Sequence, residues 1–262
     1  MNEQEAQRRQ TRRELENLGI EPFPAHGWDV TAHAVDILAT YDDTRHTPAE
    51  GAEDGPYVVS IAGRVMSLRV MGKAAFFHVA DESGQIQVYA RRSDVGEEFY
   101  DALVKKRLDL GDFVGIEGFV FRTRAGEVSV HARRVVLLAK ALRPLPIEKE
   151  VVDEETGETR TFNEVTDVEF RYRQRYADLA LHPEVRKVFR QRARMVKALR
   201  DFLDAHDYVE VETPVLQPVY GGASARPFKT HHNALDMELF LRIADELYLK
   251  RCVVGGFEGV YE

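Results

Sequence analysis

The spacing of apolar residues changes at Tyr57, and from there to about residue 139 it restricts the fold more than any other feature of the chain. Apolar side chains recur at every second position in short segments rich in Val, Ile and aromatic residues, the pattern of half-buried β-strands. Five such segments stand between turn sequences: YVVSIAGRVMSLRV, AAFFHVA, QIQVYAR, DFVGIEGFVFRTR and EVSVHARRVVLLA. The pattern therefore predicts five consecutive strands.

A helical segment interrupts the strands between the third and the fourth. Phe99, Leu103 and Leu108 lie there at roughly helical spacing, and Gly111 marks a stop. Five strands with a helix in this position follow the order of an OB-fold, a small closed β-barrel that often binds nucleic acid. Gly63, early in the long first strand, suits the sharp coiling that such barrels require. The sequence thus predicts an OB-fold barrel.

Helices are predicted on both sides of this barrel. Residues 3 to 18 carry charges on most faces, with Leu15 and Leu18 as the few apolar contacts, and predict a solvent-exposed helix or a simple extension. A second helix is predicted from Pro183, because proline is favoured in the first helical turn. It carries an apolar stripe of Val185, Val188, Phe189, Met195, Val196, Leu199, Phe202 and Leu203.

Composition and charge argue against several classes of protein. The formal net charge of −8 disfavours a protein that coats nucleic acid through bulk electrostatics, although Arg and Lys can still lie locally on a docking face. The single cysteine, Cys252, forms no internal disulfide, and no Cys/His spacing suggests zinc. His231 and His232 do not predict a metal site, since neighbours in a strand point to opposite faces. With no signal-peptide pattern or membrane-length apolar run, we expect a cytoplasmic protein without membrane contact.

Several longer strings carry a resemblance to one enzyme family. RVMGKAAFF would fit several relatives, whereas GGASARPFKTHHNALD together with LRIADELYLKR is hard to place elsewhere. With LRPLP and RYRQRYADL, these strings make the chain from about residue 12 onwards resemble lysyl-tRNA synthetase, a class II aminoacyl-tRNA synthetase with an N-terminal OB-fold. The first of the two specific strings disfavours an aspartyl or asparaginyl relative with the same architecture.

The resemblance implies an α+β, multidomain architecture in which an OB-fold β-barrel precedes the start of a class II antiparallel-sheet catalytic domain. We expect an N-terminal helical extension and loop (1–50), an OB-fold anticodon-binding domain (51–143), a linker (144–182) and the catalytic portion from motif 1 to the start of motif 2 (183–262). A surface hairpin turning at Thr156 and Gly157 is predicted within the linker.

The resemblance also implies that four barrel residues bind the uridine-rich lysine anticodon: Arg69, Phe76, Gln87 and Glu127. Phe76 would stack the central base, while the guanidinium, amide and carboxylate groups would contact base edges or the neighbouring nucleotide. Without the resemblance, two consecutive phenylalanines more often supply one core ring and one surface ring.

Three residues of the C-terminal stretch receive roles in the same way. Gly222 would give a backbone contact to the lysine substrate, and Glu246 would accept its α-amino group, since a buried ammonium needs a partner. Pro214 would end motif 1, which builds a two-fold dimer interface in the family. The ordinary alternatives are a mobile glycine loop, a surface glutamate and a plain core helix. Gly259 departs from the family, which usually has arginine there.

The activity implied for the complete enzyme is the ATP-dependent attachment of lysine to its tRNA through lysyl-adenylate. The family's ligands for ATP and Mg²⁺ follow the position of Glu262, and we predict no catalytic residue and no metal ligand within the chain. The expectation is therefore a homodimeric lysine–tRNA ligase fragment that binds the tRNA anticodon and lysine but does not activate lysine by itself. The alternative is a stand-alone OB-fold RNA-binding module without catalysis.

Overall fold

The computed structural model describes residues 3–25, 27–49, 54–146, 149–152, 159–162, 165 and 167–262. The chain divides into two compact units, Met1–Ala177 and Asp178–Glu262. The first unit contains the predicted barrel, and the second begins one residue after Ala177, shortly before the predicted second helix.

Five strands of the first unit close into a barrel in the order β1-β2-β3-β5-β4. Neighbouring strands are antiparallel, except that β3 and β5 are parallel. All five predicted strands are confirmed, in the arrangement expected of an OB-fold. The strands are β1 (Val58–Met71), β2 (Ala74–Ala80), β3 (Gln85–Arg91), β4 (Phe113–Arg122) and β5 (Val128–Ala139).

Alternate residues of each strand fill the barrel interior. Val65, Phe77 and Ile116 are completely buried there, as the two-residue period requires. Phe76, one position before Phe77, points to the outer face and is half-buried. The two phenylalanines therefore supply one core ring and one surface ring.

Short helices connect and flank the strands. The predicted helix between β3 and β4 is present but divided, because Gly96 adopts a positive φ of 93° between its first two turns. A π-helical turn, Tyr100–Val104, completes it and buries Tyr100 in the core. The helices of this part of the chain are α1 (Glu3–Asn17), α2 (Ala34–Thr40), α3 (Asp43–His46), α4 (Arg92–Val95), α5 (Glu97–Phe99), α6 (Val168–Arg173) and α7 (Arg175–Leu181).

Helix α1 packs on the barrel, so the prediction of a solvent-exposed helix is wrong for one of its faces. Leu15 is completely buried in a small apolar cluster with Leu103 and Leu137. The guanidinium group of Arg8 donates a hydrogen bond of 3.0 Å to the backbone oxygen of Ala141. Thr11, one turn before Leu15 on the same face, is also buried, whereas Leu18 is 51% exposed. One face of this charged helix is therefore enough to attach it.

A buried ion pair lies where β5 leaves the barrel. The ammonium group of Lys140 donates to the Asp112 carboxylate at 2.7 Å, the Asp109 carboxylate at 2.6 Å and the backbone oxygen of Arg107 at 2.8 Å. Asp112 also accepts the backbone N–H of Ala141 at 2.7 Å. Burial raises the pKa of Asp112 even though Lys140 opposes the shift.

Trp28, the only tryptophan of the chain, packs against the outside of the barrel. A Cβ atom at Gly115 of β4 would lie 2.4 Å from its indole ring, so this close approach requires glycine. The guanidinium carbon of Arg134 lies 5.1 Å from the ring centroid, within the range of a cation–π contact. The indole is thereby held between Gly115 of β4 and the guanidinium group of Arg134.

The segment predicted as a linker contains the two strands of the predicted hairpin. Strands β6 (Lys149–Val152) and β7 (Thr159–Phe162) pair antiparallel. The predicted turn at Thr156 and Gly157 lies outside the described residues.

The second unit starts from a long helix, α8 (Pro183–Asp204), which begins at Pro183 as predicted. The sequence DYVEVETPVL predicts one strand ended by Pro214. This prediction is wrong in extent, because before Pro214 only Val209 and Glu210 pair, in parallel with Val260 and Tyr261. The other sheet has the antiparallel order β10-β11-β9. The remaining elements are β8 (Val209–Glu210), β9 (Leu216–Gln217), β10 (Lys229–His232), β11 (Met237–Leu241), α9 (Glu246–Val254) and β12 (Val260–Tyr261).

Within the described part of the chain, no helix combines the length and the apolar character needed to cross a membrane.

Candidate functional site

The four barrel residues singled out by the sequence line one groove on the outer face of the barrel. Arg69 on β1, Phe76 on β2, Gln87 on β3 and Glu127 before β5 all border this groove of about 920 Å³. Arg69 and Phe76 are direct cross-strand partners. The groove also contains Arg124, an exposed residue of the turn before β5, so two guanidinium groups border it despite the acidic total charge.

A chain of hydrogen bonds crosses the floor of the groove. The hydroxyl group of Ser67 lies 2.8 Å from Nδ1 of His78, and Nε2 of His78 lies 2.9 Å from Oε1 of Glu127. The other carboxylate oxygen of Glu127 accepts a 2.6 Å hydrogen bond from Nε2 of Gln87. The hydroxyl group of the buried Ser129 donates to Oε1 of Gln87 at 2.9 Å. Five polar side chains from β1, β2, β3, β5 and the turn before β5 are therefore connected.

A row of rings runs beside this chain of hydrogen bonds. Phe76, Tyr89, His131 and Phe119 are successive cross-strand partners on β2, β3, β5 and β4. Their ring centroids lie 4.8 Å, 5.0 Å and 4.8 Å apart, within the usual range for aromatic pairs. Phe76 and Tyr89 both border the groove and are half-buried. A planar base entering the groove therefore meets a ring that its neighbours hold in place.

A hydrogen bond to Asp94 anchors His131 at the buried end of the ring row. Nε2 of His131 lies 2.7 Å from Oδ2 of Asp94, and Arg91 donates to the same carboxylate. Burial opposes ionisation of Asp94, but the hydrogen bonds from Arg91 and His131 prevail and lower its pKa to about 2. Burial lowers the pKa of His131, although the hydrogen bond to Asp94 opposes the shift.

Three members of the hydrogen-bond chain were missed by the sequence analysis: Ser67, His78 and Ser129. His78 follows Phe76 by two positions on the same strand and so shares its face, a signal that strand alternation already contained. Ser67 and Ser129 depend on cross-strand register, which a single sequence does not reveal.

In the second unit, Gly222 and Glu246 lie side by side. Gly222 has a φ of 87°, and a Cβ atom there would lie 3.1 Å from the Cβ atom of Ala244 and 3.4 Å from Oε2 of Glu246. Glu246 begins α9 and accepts a hydrogen bond from the ammonium group of Lys250. The backbone of a glycine and a carboxylate with affinity for an ammonium group thus face the same space.

Pro214 lies in the turn between β8 and β9, where its backbone oxygen accepts a hydrogen bond from the side-chain amide of Gln217. The preceding Thr213 donates to the Glu262 carboxylate at 2.5 Å, and Arg242 lies 2.6 Å from the same group. The hydrogen bond from Thr213, reinforced by Arg242, lowers the pKa of Glu262. These contacts join the turn to the end of β12.

The apolar stripe of α8 is exposed in this unit. Val188, Met195, Leu199 and Phe202 each leave roughly 60% of their surface accessible. The described residues of the helix include no buried side chain, so the stripe does not form an ordinary core within the second unit.

The two histidines of β10 do not share a site. Nε2 of His231 lies 3.3 Å from the Asp236 carboxylate, whereas Nδ1 of His232 accepts the backbone N–H of Leu235. Across the residues that the structure describes, no group of three or more His, Cys, Asp and Glu side chains is arranged to hold a metal ion.

Comparisons with known proteins match both units. Residues 59–138 match the model of the OB-fold nucleic acid binding domain, and residues 167–262 match that of tRNA synthetases class II (D, K and N). The chain is 49% identical over 266 residues to a lysine–tRNA ligase of Porphyromonas gingivalis, covering all of this chain and 44% of that relative. It is 45% identical over 267 residues to a lysine–tRNA ligase of Azobacteroides pseudotrichonymphae, covering all of this chain and 50% of the relative. The chain is therefore similar over its whole length to lysine–tRNA ligases, and it spans about half the length of the curated relatives it matches.

Proposed function

We propose that this chain supplies the anticodon-binding barrel and part of the lysine site of a lysine–tRNA ligase, which joins lysine to its tRNA through lysyl-adenylate. The observation that carries the proposal is the convergence of Arg69, Phe76, Gln87 and Glu127 on one groove. Their chemical groups are those needed to stack an unpaired base and to contact its edge.

The groove suits a single-stranded anticodon loop. Phe76 stacks the central base, and Gln87 and Glu127 contact base edges or the neighbouring nucleotide. Arg69 and Arg124 supply positive charge for the adjoining phosphates. These two guanidinium groups allow the chain to bind RNA although its total charge is −8. Because the bulk electrostatic attraction is weak, the RNA is also released readily.

The proposed lysine contacts are the backbone of Gly222 and the carboxylate of Glu246. Glu246 already accepts the ammonium group of Lys250, an exposed side chain, so its carboxylate is accessible to a primary ammonium. The α-amino group of lysine would replace this partner at a similar position. This exchange of one ammonium for another supports the assignment of Glu246 to substrate binding.

The family uses ATP and Mg²⁺ in general, and we propose both for the lysine–tRNA ligase reaction. Since the described residues contain no cluster suited to a metal ion, no step is assigned to a magnesium ligand of this chain. We also propose a cytoplasmic homodimer, with the exposed α8 stripe and the turn at Pro214 contributing to its two-fold interface. The boundaries at residues 50, 143 and 182 remain part of the proposal.

The experiment that tests anticodon binding is the replacement of Phe76 by alanine. Affinity for a uridine-rich anticodon stem-loop should fall by about 1–3 kcal/mol, the usual contribution of a stacked base. Phe23→Ala is the matched control, since Phe23 is half-exposed outside the groove. Fluorescence anisotropy at one fixed salt concentration measures both variants. Equal affinities of wild type and Phe76→Ala would contradict the stacking role.

A further inference from the structure

The hydrogen-bond chain in the groove determines which way the Gln87 amide points. An ionised carboxylate only accepts hydrogen bonds, so the Gln87 atom 2.6 Å from Oε2 of Glu127 has to be the amide nitrogen. With the amide reversed, two acceptor oxygens would face each other at that distance. The amide oxygen is then directed to the Ser129 hydroxyl group, which donates to it at 2.9 Å.

Glu127 is itself held by a neighbour other than Gln87. Its side chain is 46% exposed and would be free to rotate without a partner. Nε2 of His78 carries the proton that the carboxylate accepts, which leaves Nδ1 to accept from the hydroxyl group of Ser67. The Ser67–His78 pair therefore fixes the carboxylate, and the carboxylate fixes the amide.

A fixed amide can distinguish two pyrimidines. Beyond its bonds to Glu127 and Ser129, the Gln87 amide keeps one N–H and one lone pair of the oxygen for a ligand. Uracil presents a carbonyl acceptor at the edge position where cytosine presents an amino donor. For a base held in one position, an amide that cannot rotate presents either its N–H or its oxygen to this edge, and so matches only one of the two bases. A freely rotating amide can present either group and matches both.

We propose that His78 and Ser129 are positioning residues that hold the Gln87 amide in the orientation that selects uracil over cytosine at the base stacked on Phe76. His78 acts through Glu127, and Ser129 acts directly on the amide oxygen. This inference rests on the proposed anticodon-binding function of the groove.

The test compares two anticodon stem-loops that differ only in uracil or cytosine at the central position. Dissociation constants for the 262-residue chain give a discrimination ratio, which His78→Leu should reduce by about tenfold, within the range for one bidentate base contact. His78→Gln should restore most of the ratio, because its amide N–H reaches about as far as Nε2 of histidine. Ser129→Ala should also reduce the ratio. The control is His33→Leu, since His33 is exposed and lies outside the groove.

The outcomes separate this inference from the proposed function. If His78→Leu and Ser129→Ala keep the wild-type ratio, the inference is overturned while anticodon binding stands. An equal loss of affinity for both stem-loops overturns it too, because such a loss reports damage to the groove rather than a change of selection. If the wild-type chain shows no preference for uracil, both the proposed function and this inference are overturned. Circular dichroism identifies a variant that fails to fold. If His78→Leu does not fold, the discrimination ratio of Ser129→Ala tests the inference.

Discussion

Replacing Lys140 by methionine should lower the free energy of unfolding of the barrel by about 3–5 kcal/mol, the usual effect of removing one partner of a buried ion pair. The side chains of Lys140 and Asp112 are both 0% exposed, and their charged atoms lie 2.7 Å apart. Methionine preserves the apolar stem but donates none of the hydrogen bonds to Asp112, Asp109 and the Arg107 backbone. Since domains are typically stable by about 5–15 kcal/mol, the loss should be large enough to shift the urea midpoint clearly.

The same substitution has a defined pH dependence. Burial already raises the pKa of Asp112, and removal of the Lys140 cation raises it further. When a carboxyl group has a higher pKa in the folded state, its stability contribution decreases as the pH rises from the unfolded pKa to the folded one. The deficit of Lys140→Met relative to wild type should therefore be smaller at pH 5 than at pH 8.

Urea unfolding of the full chain, followed by circular dichroism at both pH values, provides the measurement. Lys197→Met is the matched control, because the side chains of Lys197 and Asp201 are 75% and 58% exposed and their pair should contribute little to stability. A loss below about 1 kcal/mol for Lys140→Met, or one that is equal at the two pH values, would refute the assignment of a buried charge pair.

Three further predictions follow from the sites. The pKa of Asp94 is lowered to about 2, so its ionised form stabilises the barrel by about 2 kcal/mol, and this is lost as the pH falls from about 4 to 2. Asp94→Asn should flatten that part of a plot of melting temperature against pH. The lowered pKa of His131 makes stability decrease as the pH falls below about 6.5, a dependence that His131→Phe should remove from thermal melts between about pH 5 and 7. Gly222→Ala should destabilise the second unit by about 1–3 kcal/mol, because φ is 87° there and Ala244 lies within contact distance, and unchanged urea unfolding would count against that strain.

The barrel was predictable from the sequence because each strand carries its own signal. Alternation alone predicted that one of the two consecutive phenylalanines faces the core, and in the structure that residue is Phe77. The helix predicted between β3 and β4 is interrupted at Gly96, because this residue adopts a positive φ, which the helical spacing of its neighbours does not reveal. The strand predicted over DYVEVETPVL was too long because pairing partners, rather than propensity, decide where a strand ends.

The groove was predictable only through the family resemblance. No local pattern brings Glu127, from a turn, within hydrogen-bonding distance of His78 and Gln87, since this contact depends on the register of separate strands. An irregularity of β1 between Val65 and Ser67 also affects which residues face the groove. The burial of Leu15 was missed for a related reason, because the surface that covers it comes from residues about 90 and 120 positions away in the chain.

The position of Trp28 gives the barrel its own optical signal. Because it is the only tryptophan in the chain, emission excited near 295 nm, a wavelength that tyrosine absorbs only weakly, reports the surroundings of Gly115 and Arg134 alone. Residues 178–262 contribute tyrosine but no tryptophan. A change in this emission during denaturation therefore belongs to the first unit, and its difference from the circular dichroism signal reveals whether the two units unfold together or in sequence.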